Sequence, residues 1–153
     1  MSNKCNPSVS KTLKHETIHF IVSLIVALLI QYFFNNYILL VFTFSLSMFL
    51  DADHLFDYFL YLIKYKQKFS LKEFISGSYL LKWQKFITPL HSWEIAIISG
   101  LVFTIVSNPI FISIFLALSS HYLVDYFTND VNKKAYFIIF RAKNKFIKSA
   151  ISS

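Results

Sequence analysis

Histidine and aspartate gather at the ends of long apolar stretches in this chain, and imidazole with carboxylate is a set of groups that holds a divalent cation or moves a proton. His15 and His19 open the first apolar run, Asp51, Asp53, His54 and Asp57 close the second, His91 and Glu94 open the third, and His121 and Asp125 close the fourth. These are all five histidines and five of the eight carboxylates. Ionisable groups at membrane depth are costly unless they are paired, metal-bound or functional. The pairs His15/His19, Asp53/Asp57 and His121/Asp125 are i,i+4, and Asp51/His54 and His91/Glu94 are i,i+3, separations that put both side chains on one helix face. With the one thiol far away at Cys5, these donors favour Zn2+, Mn2+ or Fe2+ over a cysteine-bound structural zinc. The expected ligands are His19, Asp51, Asp53, His54, His91, His121 and Asp125. They exceed one tetrahedral shell, so two ions and one ion with an outer ring of partners are both open. Asp53 and Asp57 are the candidates for a proton acceptor, that is, for the catalytic base. His15, one turn outside His19, reads as a surface residue, and Glu94 as a first-turn carboxylate favoured by the helix dipole.

The elements that must position these groups read as membrane helices. Hydrophobic residues make up 56% of the 153, with mean hydropathy +0.53, more than a soluble core of this size needs. Apolar runs cover residues 18–34, 37–50 with a continuation to 63, 93–106 and 110–127. Each is close to or below the ~20 residues that cross a hydrocarbon core. All 15 Lys and Arg fall in three blocks, residues 4–14, 64–85 and 133–148, whereas Asn35-Asn36 and Ser107-Asn108-Pro109 are uncharged and read as tight turns. The positive-inside rule then expects four spans, with both termini and the middle basic loop in the cytoplasm. That topology brings every site residue to one face.

The expected fold is all-α: a multi-pass bundle of four spans in the cell (inner) membrane with additional interfacial amphipathic helices. Residues 1–14 form a basic N-terminal tail, residues 15–130 the domain carrying the metal site, and residues 131–153 a basic amphipathic C-terminal tail. Within the cytoplasmic loop 64–90, apolar residues between Leu71 and Ile87 recur at helical spacing and predict one helix lying in the interface, with Trp83 at headgroup level, Gly77 weakening it and Pro89 following its end. No secretory signal is expected, because the first run lacks a small-residue cleavage site and three comparable runs follow. The net charge of +7 reads as a topology determinant with an attraction for anionic membrane lipids, not as a nucleic-acid surface. The lone Cys5 excludes an internal disulfide.

Four short elements resemble the YdjM-like family of LexA-binding, inner-membrane-associated metal-dependent hydrolases. They are Thr17-Ile18-His19, Asp51-Ala52-Asp53-His54, Thr88-Pro89-Leu90-His91-Ser92, and Ser120-His121-Tyr122-Leu123-Val124-Asp125 followed by Thr128. The resemblance covers roughly residues 15–130 in the family's order. It implies a hydrolase with its metal on these residues. The chain departs from the family where a His-Arg pair commonly precedes the Thr-His-Ser element, having Lys85-Phe86-Ile87 there, and it lacks the proline that usually flanks Asp-x-Asp-His.

A site at headgroup depth among basic loops leads to the expectation of a hydrolase acting on a phosphoester or other ester of a lipid-like anionic substrate. The alternative is a non-enzymatic metal-binding membrane protein, a transporter or a sensor. Transporters place ionisable ligands near the bilayer midplane, whereas the middles of these runs hold little beyond Ser23, Ser45, Ser99 and Thr104. Binding of a transcriptional repressor is implied by the family name alone.

Overall fold

The structure, a computed structural model, describes residues 9–129 and 132–151. Most of the expected N-terminal tail, residues 1–8 with Cys5, lies outside the described residues. The rest is helical. Helix α1 (Val9–Phe34) runs unbroken through its apolar stretch until Asn35, whose left-handed φ of 46° stops it. The Asn36 side chain then accepts the N–H groups of Ile38 and Leu39 and starts α2 (Tyr37–Met48). Asn108 does the same for Ile110, with Pro109 in the first turn, where α6 (Trp93–Val106) gives way to α7 (Pro109–Thr128). Both uncharged connections are therefore tight, capped turns.

Helices α1, α2 and α7 pack against one another, and α6 packs on α7. Their interior holds small and hydroxyl residues: Ser23 and Ala27, Thr43 and Ser47, Ala96 and Ser99, Ser113 and Ala117. Ser23 and Ser47 share a 2.7 Å hydrogen bond across the α1/α2 contact, and Thr43, Ser99 and Ser113 donate to carbonyls of their own helices. Large apolar residues face outward instead, among them Phe20, Ile21, Leu24, Ile25 and Leu28 on α1 and Ile97, Ile98, Leu101 and Ile105 on α6. Small residues inside and bulky ones outside is the packing of helices whose surroundings are themselves apolar.

Four spans were expected, and length supports two outright. Lys14–Phe34 and Pro109–Thr128, with 21 and 20 residues, are long and apolar enough to cross a membrane. A third exists only if Tyr37–Met48 and Leu50–Tyr65 count together across a 52° bend, and α6 has only 14 residues. The second apolar run is thus not one helix. It breaks at Phe49, tightens into a 3-10 turn over Leu50–Asp53, and resumes as α3 (His54–Tyr65).

Two further expectations are corrected. The segment from Leu71 to Ile87 is not a single interfacial helix: Gly77, left-handed at φ 63°, divides α4 (Leu71–Ser76) from α5 (Tyr79–Trp83). Trp83 is 6% exposed, packed with Tyr58, Tyr61 and Tyr79, because its indole N–H has an acceptor inside (Asp57). Glu73 closes that cluster by accepting both the Tyr58 and Tyr61 hydroxyls at 2.9 Å. Nor is the C-terminal tail one surface-lying helix. A 3-10 turn (Lys133–Tyr136), α8 (Ile138–Lys143) and α9 (Lys148–Ile151) fold back onto the segment after α5. There Phe86 N–H donates to Phe146 C=O and Lys148 N–H to Gln84 C=O.

Candidate metal centre

The break in the second run, the N-terminal half of α1, the start of α6 and the end of α7 meet at one place. Helix α7 presents His121 and Asp125 one turn apart, the 3-10 turn presents Asp51, and the loop leading into α6 presents His91. One donor atom from each falls in a single cluster, all within 4.8 Å of one another. Asp51 Oδ1 lies 3.1 Å from His91 Nε2 and 3.5 Å from His121 Nε2. Asp125 Oδ2 lies 3.4 Å from His121 Nε2 and 3.7 Å from His91 Nε2. A tetrahedral shell with bonds of about 2.0–2.1 Å has donor-to-donor edges of about 3.3–3.4 Å. The four distances bracket that value.

The groups behind these donors set their protonation. His121 Nδ1 donates to the Ser47 carbonyl at 2.9 Å. That carbonyl is available because α2 ends one residue later, leaving last-turn acceptors without helical partners. A carbonyl only accepts, so a proton sits on Nδ1, and in the neutral imidazole the lone pair of Nε2 faces the carboxylates. His121 Nε2 is buried and has no hydrogen-bond partner, the state of a nitrogen shaped to bind something else. Behind His91, Asp53 Oδ1 lies 3.0 Å from Nδ1, a charge contact that is not aligned as a hydrogen bond. Burial opposes charge on His91, but Asp51 and Asp53 beside it outweigh burial and raise its pKa to about 9. A divalent cation would answer the same carboxylates.

The loop carrying His91 is fixed from three sides. Asp53 Oδ2 accepts Leu90 N–H at 3.0 Å. The Tyr122 hydroxyl accepts Ser92 N–H at 3.2 Å and donates to the Leu90 carbonyl. Arg141, fully buried, spends Nη1 on the carbonyl and hydroxyl of Thr88 at 2.8 and 2.7 Å and Nη2 on the His91 carbonyl at 2.8 Å. Glu94 lies away from the cluster and receives the N–H groups of Ile138 and Ile139, both at 3.1 Å, at the start of α8.

The remaining sequence candidates are placed as follows. His54 sits at the edge, its Nε2 3.8 Å from Asp51 Oδ1, and with Asp53 and His91 it makes a second group of convergent donors. His19, with His15 and Asp125, makes a third. The two expected proton acceptors are otherwise engaged. Asp53 holds Leu90 and faces His91, and Asp57, fully buried, accepts Trp83 Nε1–H at 3.1 Å and Ile87 N–H at 2.8 Å. Asp57 therefore braces the loop and belongs to none of the donor groups among the described residues. His15, read as a surface residue, points inward, its Nε2 3.5 Å from Asp125 Oδ1. Arg141 and Tyr122 carried no signal in the sequence, since their partners are backbone groups of a distant loop.

A cavity of about 660 Å³ opens from the cluster. His15, Glu16, Asp51, His54, His91 and Asp125 are its histidine and carboxylate lining, Phe49, Leu55, Phe74, Leu80 and Phe86 much of its wall, and among the described residues no Lys or Arg lines it. The cluster can thus hold cations beside a largely apolar compartment, and any anionic ligand there must be charge-matched by them. No protein-family model matches the chain, and no curated protein or solved structure matches it.

Proposed function

We propose that this protein is a membrane-embedded, metal-dependent hydrolase of the YdjM-like kind, acting at the cytoplasmic face on an ester, most simply a phosphoester, of a lipid-like anionic substrate. The observation that carries the reading is the convergence of one donor atom each from Asp51, His91, His121 and Asp125 beside an apolar-walled cavity. A divalent cation, zinc by the donor set, supplies Lewis-acid activation of water and stabilises charge on the scissile group. The protein's own residues do the rest. The Ser47 carbonyl holds the His121 imidazole with its proton on Nδ1, Asp53 holds the His91 loop through Leu90 N–H, and the aromatic and aliphatic wall accepts an acyl or prenyl chain while excluding bulk water. In this reading four helical segments traverse or enter the bilayer with both termini inside, as the distribution of Lys and Arg supports.

One observation favours the non-enzymatic alternative, a metal sensor or transporter: the carboxylates of Asp53 and Asp57 are both committed to other groups. The two readings separate cleanly. Purified protein in detergent is loaded with zinc, its metal content measured, and a panel of phospholipids, prenyl phosphates and carboxylic esters offered. Hydrolysis that disappears with Asp51→Ala or His121→Ala, together with the metal, supports the hydrolase. Fully metallated protein that turns over none of the panel leaves the metal-binding alternative.

A further inference from the structure

We propose that the centre holds a second divalent cation, bound by His15, His19 and Asp125, with its fourth coordination position open to the cavity. The inference builds on the metal reading of the first cluster and shares only Asp125 with it. The two oxygens of Asp125 face different histidines: Oδ2 faces His91 and His121, whereas Oδ1 lies 3.2 Å from His19 Nε2 and 3.5 Å from His15 Nε2. The two Nε2 atoms are 3.1 Å apart. These three distances are the edges of one face of a tetrahedron drawn with bonds of about 2.0–2.1 Å, whose edges are about 3.3–3.4 Å.

The protonation of His15 follows from Thr128. The Thr128 hydroxyl has one proton and gives it to the Val124 carbonyl at 2.8 Å. With the hydroxyl proton so placed, its oxygen is free to accept from His15 Nδ1 at 3.0 Å, and in that tautomer the Nε2 lone pair turns toward His19 and Asp125. A surface histidine needs no such fixing. The cost of holding two imidazole nitrogens face to face beside a 97%-buried carboxylate residue falls when a cation sits between them.

Openness separates the two positions. The first has four protein donors, so water reaches its ion only as a fifth ligand, whereas the second has three, and donors of both positions line the cavity. Three protein ligands with one vacancy is the arrangement at which a metal takes water or substrate. A carboxylate bridging two ions places them on the order of 3.5–4 Å apart, where both can contact one anionic group. With no Lys or Arg on the cavity wall among the described residues, the second cation supplies the charge that a phosphoryl or carboxyl oxygen requires.

The test counts ions without reference to activity. Full-length protein in detergent, stripped and reloaded with zinc, is expected to bind two equivalents, and the double variant His15→Ala/His19→Ala one. Wild-type protein binding one equivalent, with the double variant also binding one, overturns the second position and leaves the first intact. Wild type binding none overturns both, and the double variant retaining two overturns the assignment to these histidines. Manganese-loaded wild-type protein needs no variant to fold: a spin-coupled resonance spectrum is expected from bridged ions, and a spectrum of isolated ions at saturating manganese overturns the proposal.

Discussion

Asp51, Asp53 and Asp57 lie within seven residues of one another yet have three different tasks, and each task predicts a different loss. Asp51 offers Oδ1 to two imidazoles, so Asp51→Ala removes a donor and is expected to abolish binding at the first position. Asp53 supports a ligand instead of being one of the four. Asp53→Asn is therefore expected to weaken zinc binding by ~10 to 100-fold, the usual effect of losing an outer-shell partner. A zinc titration in competition with a chromophoric chelator measures the difference. Asp57→Ala leaves the Trp83 indole and the Ile87 amide without their acceptor, which costs on the order of 1–3 kcal/mol for each buried donor left unpaired. Lower thermal stability in detergent with unchanged metal stoichiometry is the expected result, and loss of metal from a folded Asp57→Ala protein would contradict it. The pairing of His121 with Asp125 was legible from helical spacing. The split among the three aspartates was not, because it depends on which carboxylate turns toward a loop thirty or more residues away.

At the scale of elements, the loop that carries His91 depends on the C-terminal segment. Arg141 reaches from α8 to two carbonyls and a hydroxyl of that loop, Glu94 anchors the first turn of α8 in return, and Lys85 pairs with Ile147 as an antiparallel bridge. The sequence shows basic and apolar residues in alternation here, which reads as a helix lying on a surface. Nothing in that alternation marks one cation as internal, because its acceptors are carbonyls. A lysine cannot reproduce the guanidinium fork. Arg141→Lys is thus expected to leave α1 and α7 folded, judged by circular dichroism, while weakening zinc at the His91 position roughly 10-fold or more, as for other losses of an outer support. Unaltered zinc affinity in the Lys variant would mean that Asp53 and Tyr122 fix the loop unaided. The break at Phe49 was hidden for a similar reason. Hydropathy runs on through it, and the 3-10 turn is held by tertiary partners such as His91 and Leu90, which bind the aspartates it carries.

Across the whole molecule, the short helices and the site explain each other. Helix α6, with 14 residues, rises about 21 Å at 1.5 Å per residue, less than the ~30 Å of a hydrocarbon core. Helix α2 stops after 12 residues. Both end at the His/Asp cluster, so in the proposed topology the donors sit below the cytoplasmic surface, and α3, α4, α5 and the 3-10 turn Lys133–Tyr136 build the rim above them. The capped turns at Asn36 and Asn108 then face the opposite side. In a Cys5→Ser background, cysteines placed at the exposed positions Tyr37 and Val106 are expected to react with a membrane-impermeant thiol reagent applied to intact cells, and one at Lys68 only after permeabilisation. These positions lie at opposite ends of the helices that converge on the cluster. Labelling at Lys68 but not at Tyr37 or Val106 would invert the protein, placing the metals on the outer face and its substrate in the outer leaflet. Labelling of all three in intact cells would mean that the apolar faces of α1 and α6 are covered by something other than a bilayer.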